Sequence, residues 1–259
     1  MKILFNKYEG TGNDFILVRN SPSVIGHSDS LLIRKLCDRR FGIGADGLML
    51  VEECEGYDFR MFYFNADGSP GNMCGNGARC AAHFAMRNFA GFRDLLFLAG
   101  DGPHTAKHMG GDVIEVSITD VTEVRETPDG ILANTGVPHL VIFTDNIENV
   151  DMVSFGRPLR YSGRYAPEGV NVNLVSVTDG RLKVRTYERG VEDETLSCGT
   201  GVTASVIAAA STGKIVTDSP EVIVRGGTLS VRFKLNDNGA SRIFLTGPAT
   251  FVFSREKGI

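Results

Sequence analysis

The chain has 259 residues, of which 42% are hydrophobic and 22% charged, with a formal net charge of −4. That composition is ordinary for a globular protein and leaves room for one large domain or two of common size. No segment is strongly basic, which argues against a nucleic-acid partner and favours a small-molecule substrate.

The opening "MKILFNKYEG" turns polar after five residues. It lacks the longer apolar stretch and small-residue cleavage site of a signal peptide. No apolar run reaches the ~20 residues that span a bilayer. The expectation is a cytoplasmic protein with no membrane partner.

In chain order, "FILV" (15–18), "GLMLVEE" (47–53) and "FRMFYFN" (59–65) read as strands. Between the first two, "SLLIRKLCDRR" (30–40) reads as a helix with Leu31, Leu32, Leu36 and, less regularly, Ile33 turned inward. "GARCAAHFAMRNFAG" (77–91) predicts a second helix, stopped by Gly91. After an interrupted stretch at 117–130, "LVIF" (140–143), "VNVNLVSV" (170–177) and "LKVRTYE" (182–188) predict strands again. "VTASVIAAASTGK" (202–214) predicts a helix that is apolar nearly all round and therefore buried. "GIGADG" (42–47) has the spacing of a dinucleotide-binding loop. It is preceded by the charged "CDRRF" and followed by a strand-like run, not the strand-then-helix setting that motif needs.

The second half repeats the first. "MCGNGARCAAHFA" (73–85) and "SCGTGVTASVIAA" (197–209) both set Cys-Gly-x-Gly before an Ala-rich segment. Cys198 lies 124 positions after Cys74, and the same offset takes Thr11-Gly12 to Thr135-Gly136, Leu50-Val51 to Leu174-Val175 and Tyr63 to Tyr187. No gap is needed. The period is too long for a solenoid. The expected architecture is mixed α/β: two pseudo-symmetric domains from an internal duplication, residues 1–119 and 120–249, with the tail 250–259 able to return to the first.

Of five cysteines, no two have Cys-x-x-Cys spacing, so neither a zinc site nor a disulfide framework is expected. Cys37, Cys54 and Cys80 read as small packing residues. Cys74 and Cys198 differ, because each precedes a helix start. Such a start offers unpaired N–H groups and positive potential, which binds anions and lowers a thiol pKa. Moving a thiol from ~8.5 to ~7 takes about 2 kcal/mol of differential stabilisation. One cysteine at a glycine turn is explained well enough as a residue that fits. Two in register suggest a pair of acid–base groups, one removing a Cα proton and the other returning one to the opposite face. Such chemistry needs no cofactor and no metal. A pair of redox thiols, and an amino-acid-binding module without catalysis, are the alternatives.

Taken together, "GTGNDF", "GIGADG", "FNADGS", "MCGNGARC", "GVPH", "GVNVN", "YERG" and "SCGTG" resemble the diaminopimelate epimerases, a pyridoxal-phosphate-independent family. The resemblance runs from Gly10 to about Ala209. It implies interconversion of LL- and meso-diaminopimelate, domains whose strands wrap a central helix, a homodimer, and a place in lysine and peptidoglycan synthesis. It implies Cys74 and Cys198 as the acid–base pair, with His139 and Glu188 beside them. Asn13, Asn65, Asn171 and Arg189 would hold the distal amino-acid head, Arg189 by bidentate capture of its carboxylate. The backbones of Gly75-Asn76 and Gly199-Thr200 would hold the reacting carboxylate. Val137 stands where many members have Asn, Gly47 where some have Gln, and Pro70 and Ser197 also depart from the common pattern. A proline racemase or hydroxyproline epimerase is the runner-up. Those enzymes usually carry His where this chain has Asn76, and phenazine-type isomerases lack the cysteine pair.

Overall fold

The computed structural model describes residues 2–258. In chain order the first elements are β1 (Lys2–Gly10), β2 (Asn13–Arg19), α1 (Ser30–Cys37), β3 (Gly47–Cys54), β4 (Tyr57–Asn65), β5 (Pro70–Gly71), α2 (Gly75–Ala85), β6 (Leu95–Ala99), β7 (Gly102–Gly110) and β8 (Val113–Ile118). There follow β9 (Val124–Thr127), β10 (Gly130–Asn134), β11 (Pro138–Phe143), α3 (Met152–Arg160), β12 (Asn171–Thr178), β13 (Arg181–Glu188) and β14 (Asp193–Thr195). The last are α4 (Gly199–Ser211), β15 (Glu221–Val224), β16 (Gly227–Asn236), β17 (Gly239–Pro248) and β18 (Thr250–Gly258). The chain forms two compact units, one of Met1–Val116 with Gly247–Ile259, the other of Ser117–Thr246.

In the first unit β1 pairs antiparallel with both β2 and β18. The sheet continues β2–β3 parallel, β3–β4 antiparallel, β4–β6 parallel, then β6–β7 and β7–β8 antiparallel. The second unit repeats that order. β10 pairs antiparallel with β9 and β11, then β11–β12 is parallel, β12–β13 antiparallel, β13–β15 parallel, and β15–β16 and β16–β17 antiparallel. Phe15 sits opposite Gly47 in one unit and His139 opposite Asn171 in the other, so the offset of 124 holds across this parallel pair.

The offset fails one strand further on. Met49 faces Tyr63, but Asn173 faces Thr186 rather than Tyr187. A bulge at Asp58–Phe59 in β4, opposite Glu53 of β3, adds one residue to the first hairpin, and no register shift interrupts β12–β13. Because side chains alternate along a strand, a slip of one residue changes the face. Tyr63 therefore corresponds to Thr186, while Tyr187 turns to the other face and packs with Leu140, Met152 and Leu174.

Each unit wraps strands around one helix. Every residue of α2 is buried, and it packs against β1, β2, β3, β4, β7 and β18. Gly199 and Gly201–Ala209 of α4 are likewise buried, among β9 to β13 and β16. Alanine and glycine suit this place because strands can approach closely on all sides, while alanine costs little side-chain entropy. α2 begins at Gly75, two residues before the predicted start, and runs into one π-helical turn at Met86–Ala90 before Gly91, whose φ of 74° favours glycine.

α1 lies outside the strands. It ends at Cys37, not at 40, because Asp38 has an extended ψ of 122° and its carboxylate accepts the N–H groups of Arg40 and Phe41. Ile33 and Leu36 enter the core with Ile16, Leu48 and Phe64, whereas Leu31 is 81% exposed. One face of this eight-residue helix holds Ile33, Leu36 and Cys37, at i, i+3 and i+4. Cys37 is buried as expected, but Cys54 is half-exposed, at the end of β3 beside the bulge.

No helix among the described residues is long and apolar enough to cross a membrane.

Candidate active site

Both cysteines of the repeated phrase occupy the N-cap of the buried helix. Cys74 has φ −135° and ψ 115°, and its Sγ accepts the Gly77 N–H at 3.5 Å. Cys198 has nearly the same backbone, φ −127° and ψ 105°. In both, the Cys carbonyl accepts the first helical N–H, from Ala78 or Val202. Neither helix has an acidic residue in its first turn to neutralise the amide dipoles. No disulfide joins any of the five cysteines.

Around Cys74 the side chains form one directed chain of hydrogen bonds. Arg79, one turn into α2, is fully buried. It donates to Asn76 Oδ1 at 3.0 Å, Thr11 Oγ1 at 3.1 Å, and the carbonyls of Gly75 and Pro248 at 3.3 Å each. Among the described residues no carboxylate pairs with it. Burial lowers its pKa to about 10, which still leaves it charged at neutral pH. A guanidinium only donates, so Asn76 must present its oxygen to Arg79 and its Nδ2 to Asn13 Oδ1, at 2.7 Å. Asn13 in turn donates to Asp46 Oδ2 at 3.1 Å. Asp46 is held by Arg39, which also grips Asp14, and Lys7 closes the cluster on Asp14 at 2.6 Å. Burial alone would raise the Asp14 carboxyl; hydrogen bonds from Arg39 and Lys7 outweigh it and hold it at about 2.

Around Cys198 the arrangement is different. Thr200 Oγ1 lies 3.4 Å from Cys198 Sγ and 3.0 Å from His139 Nε2. His139, on β11, is fully buried, and burial is the main reason its pKa falls to about 3, so the ring is neutral. Its Nδ1 lies 3.0 Å from Asn173 Nδ2. Asn171, at the start of β12, accepts the Arg189 N–H at 2.8 Å and donates to the Pro138 carbonyl at 3.4 Å. Thr135 donates to the Thr200 carbonyl at 3.1 Å, steadying the first turn of α4.

The structure thus brings Asn13 and Asn76 together beside Cys74, and His139 and Thr200 beside Cys198. Gly75 and Gly199 open their helices. Glu188 is the last residue of β13, next to Arg189. Arg189 donates to the Glu168 carbonyl at 3.3 Å and lies 3.8 Å from its carboxylate. Asn65 ends β4 in an exposed position, where it accepts from Tyr63 Oη at 2.9 Å and donates to Ser69 Oγ at 3.1 Å. Sequence reasoning passed over Arg79, Asp46 and Asn173. Arg79 lies inside the quoted "MCGNGARC", and Asn173 lies two positions from Asn171, the spacing that puts side chains on one face of a strand.

The sequence model of the family described as Diaminopimelate epimerase matches residues 5–124 and 131–252. The chain belongs to the diaminopimelate epimerase family. It is 46% identical to the diaminopimelate epimerase of Flavobacterium psychrophilum over 95% of this chain and 97% of that one. It is 39% identical to the diaminopimelate epimerase of a Hydrogenobaculum species, with 97% of both chains covered. The fold is shared more widely. A phenazine biosynthesis protein of the PhzF family from Bacillus anthracis superposes with a TM-score of 0.78 at 14% identity, over the whole of both chains. A hydroxyproline epimerase from Agrobacterium vitis superposes at 0.71 and 15% identity, over 98% of this chain and 92% of that one. Family and fold together make this epimerase-family chain an isomerase.

Proposed function

We propose that this protein interconverts LL- and meso-diaminopimelate by proton transfer at one Cα, with Cys74 and Cys198 as the two acid–base groups. The observation that carries the assignment is the cysteine N-cap found twice, at the start of the buried helix of each unit. The reacting carboxylate binds the helix-start N–H groups at Gly75-Asn76 and Gly199-Thr200. One thiolate takes the α-proton and becomes a thiol. The electron pair left on Cα delocalises into the carboxylate, where those donors strengthen their hold as charge moves onto oxygen. The other thiol gives its proton to the opposite face and becomes the thiolate, so atoms and charge balance. His139 and Glu188 tune protonation. Asn13, Asn65, Asn171 and Arg189 hold the distal head, for which Arg189 exchanges Glu168 for the substrate carboxylate. The reaction uses no cofactor. The protein works as a cytoplasmic homodimer, and its product serves lysine and peptidoglycan synthesis.

Incubation of reduced protein with LL-diaminopimelate in D₂O tests this reading. Deuterium should enter Cα as the meso form appears, and Cys74→Ala or Cys198→Ala should stop the interconversion. Absence of exchange in folded, reduced protein would remove diaminopimelate as the substrate and turn attention to Val137 and Gly47.

A further inference from the structure

Asn173 is fully buried on β12, and every polar atom of its side chain is committed. Oδ1 accepts the Thr186 hydroxyl at 2.9 Å. Nδ2 lies 3.3 Å from the Leu140 carbonyl, which can only accept, and this contact fixes which end of the amide is nitrogen. The second Nδ2 hydrogen points at His139 Nδ1. The helix start leaves no slack: a Cβ added to Gly201 would come within 2.4 Å of Asn173 Oδ1 and 3.3 Å of His139 Cε1.

An imidazole nitrogen that faces an N–H must be the acceptor, and a neutral ring then carries its hydrogen on the other nitrogen. His139 Nε2–H therefore donates to Thr200 Oγ1. With a lone pair taken, the Thr200 hydroxyl has its own hydrogen left for Cys198 Sγ. Every link from Asn173 through His139 and Thr200 points its donor toward the sulfur.

We propose that Asn173 is a positioning residue that holds His139 as the Nε2–H tautomer and thereby makes Thr200 a donor to the Cys198 thiolate. This rests on Cys198 taking part in proton transfer, but the chain of hydrogen bonds itself can be tested without substrate. Donation to the charged form favours it, so Cys198 keeps a lower pKa than the helix start alone would give. The charged group whose field reaches the His139 ring is Arg189, which further disfavours imidazolium. Removing the Asn173 donor frees His139 to turn its hydrogen to Nδ1. Thr200 then donates to Nε2, and the sulfur loses its partner's hydrogen.

The experiment uses the full chain labelled with ¹⁵N-histidine and ¹³Cβ-cysteine. Long-range ¹H–¹⁵N spectra report the His139 tautomer, and the Cβ shifts report each thiol titration. The wild type should show Nε2–H. In Asn173→Asp the carboxylate accepts from Nδ1–H, so the tautomer should switch to Nδ1–H. Asn173→Met, which carries the residue found at the matching place in the first unit, should lose the fixed tautomer. In both variants the Cys198 titration should rise by about one unit while that of Cys74 stays put. A wild-type ring protonated at Nδ1, an unmoved Cys198 titration in folded Asn173→Met, or equal shifts at both cysteines would overturn the proposal. If the proposal holds and no deuterium exchange is seen, the failure belongs to the substrate assignment instead.

Discussion

The same turn is built twice, and what lies beneath it differs. At the start of α2 the Met49 methyl lies against Gly77, and Phe15 is buried on the neighbouring β2; at the matching positions of the second unit stand Asn173 and His139. Asn76 corresponds to Thr200 and Arg79 to Thr203, whose hydroxyl merely bonds the Gly199 carbonyl at 2.9 Å within its own helix. One helix start is thus supported by a permanent buried cation, the other by a line of neutral donors. Backbone geometry sets where the sulfurs sit, and the residues one layer below give each a different set of neighbours. A two-base catalyst needs its two sulfurs in opposite protonation states before the proton moves, and unlike surroundings are a direct way to separate them.

The sharpest break of this comparison is at Arg79. Arg79→Met should lower kcat/KM about 100-fold, or about 3 kcal/mol, because Asn76 and the Cys74 turn lose their cation. Stability should fall less, since methionine also removes the cost of burying a charge without a carboxylate partner. The matched change Thr203→Val in α4 should alter kcat/KM by less than about threefold, because an intrahelical hydroxyl bond contributes little. Steady-state kinetics and urea unfolding on both variants measure the contrast, and equal losses would erase it.

The glycines inside the two turns give a smaller difference. Gly201→Ala drives a Cβ into the Asn173 carboxamide, which is fixed by its hydrogen bonds, and should cost about 2–3 kcal/mol. Gly77→Ala meets the Met49 methyl, the end of a flexible chain that can choose another rotamer, and should cost about 1 kcal/mol. Urea midpoints rank the two.

The smallest effect is seen on acidification. The folded pKa of His139 is about 3, well below the ordinary histidine value. Between about pH 6.5 and pH 3 the unfolded chain binds a proton that the folded chain refuses, so stability falls as pH falls through that window. Between about pH 7 and pH 5 the loss should be about 1–2 kcal/mol. His139→Phe, which copies Phe15, should flatten this limb. The Asp14 contribution remains in both proteins, present above about pH 4 and lost as pH falls toward its folded value of about 2. Unfolding midpoints across this range show whether the slope belongs to His139.

Much of this could be read from the residues in order. The repeat of Cys-Gly-x-Gly at a fixed offset announced the duplication, and an all-apolar helix after the second copy announced its burial, because a helix without a polar face has to be covered all round. Local chemistry also placed both cysteines at helix starts, since glycine turns before alanine runs have few other uses. What stayed out of reach depended on partners distant in sequence. Arg79 looks like a solvated residue until Thr11, in the turn between β1 and β2, and Pro248 close around it, and only then does its charge bear on Cys74. Asn173 looks like a strand residue until the parallel pairing of β11 with β12 sets it against His139. The bulge in β4 broke the Tyr63–Tyr187 match, because a one-residue slip costs the sequence pattern little but turns a side chain to the opposite face. Sequence alone determined the repeated scaffold and the two thiols at its helix starts; tertiary packing decided which groups reach them, because hydrogen-bond direction and burial are properties of neighbours that the chain brings together only on folding.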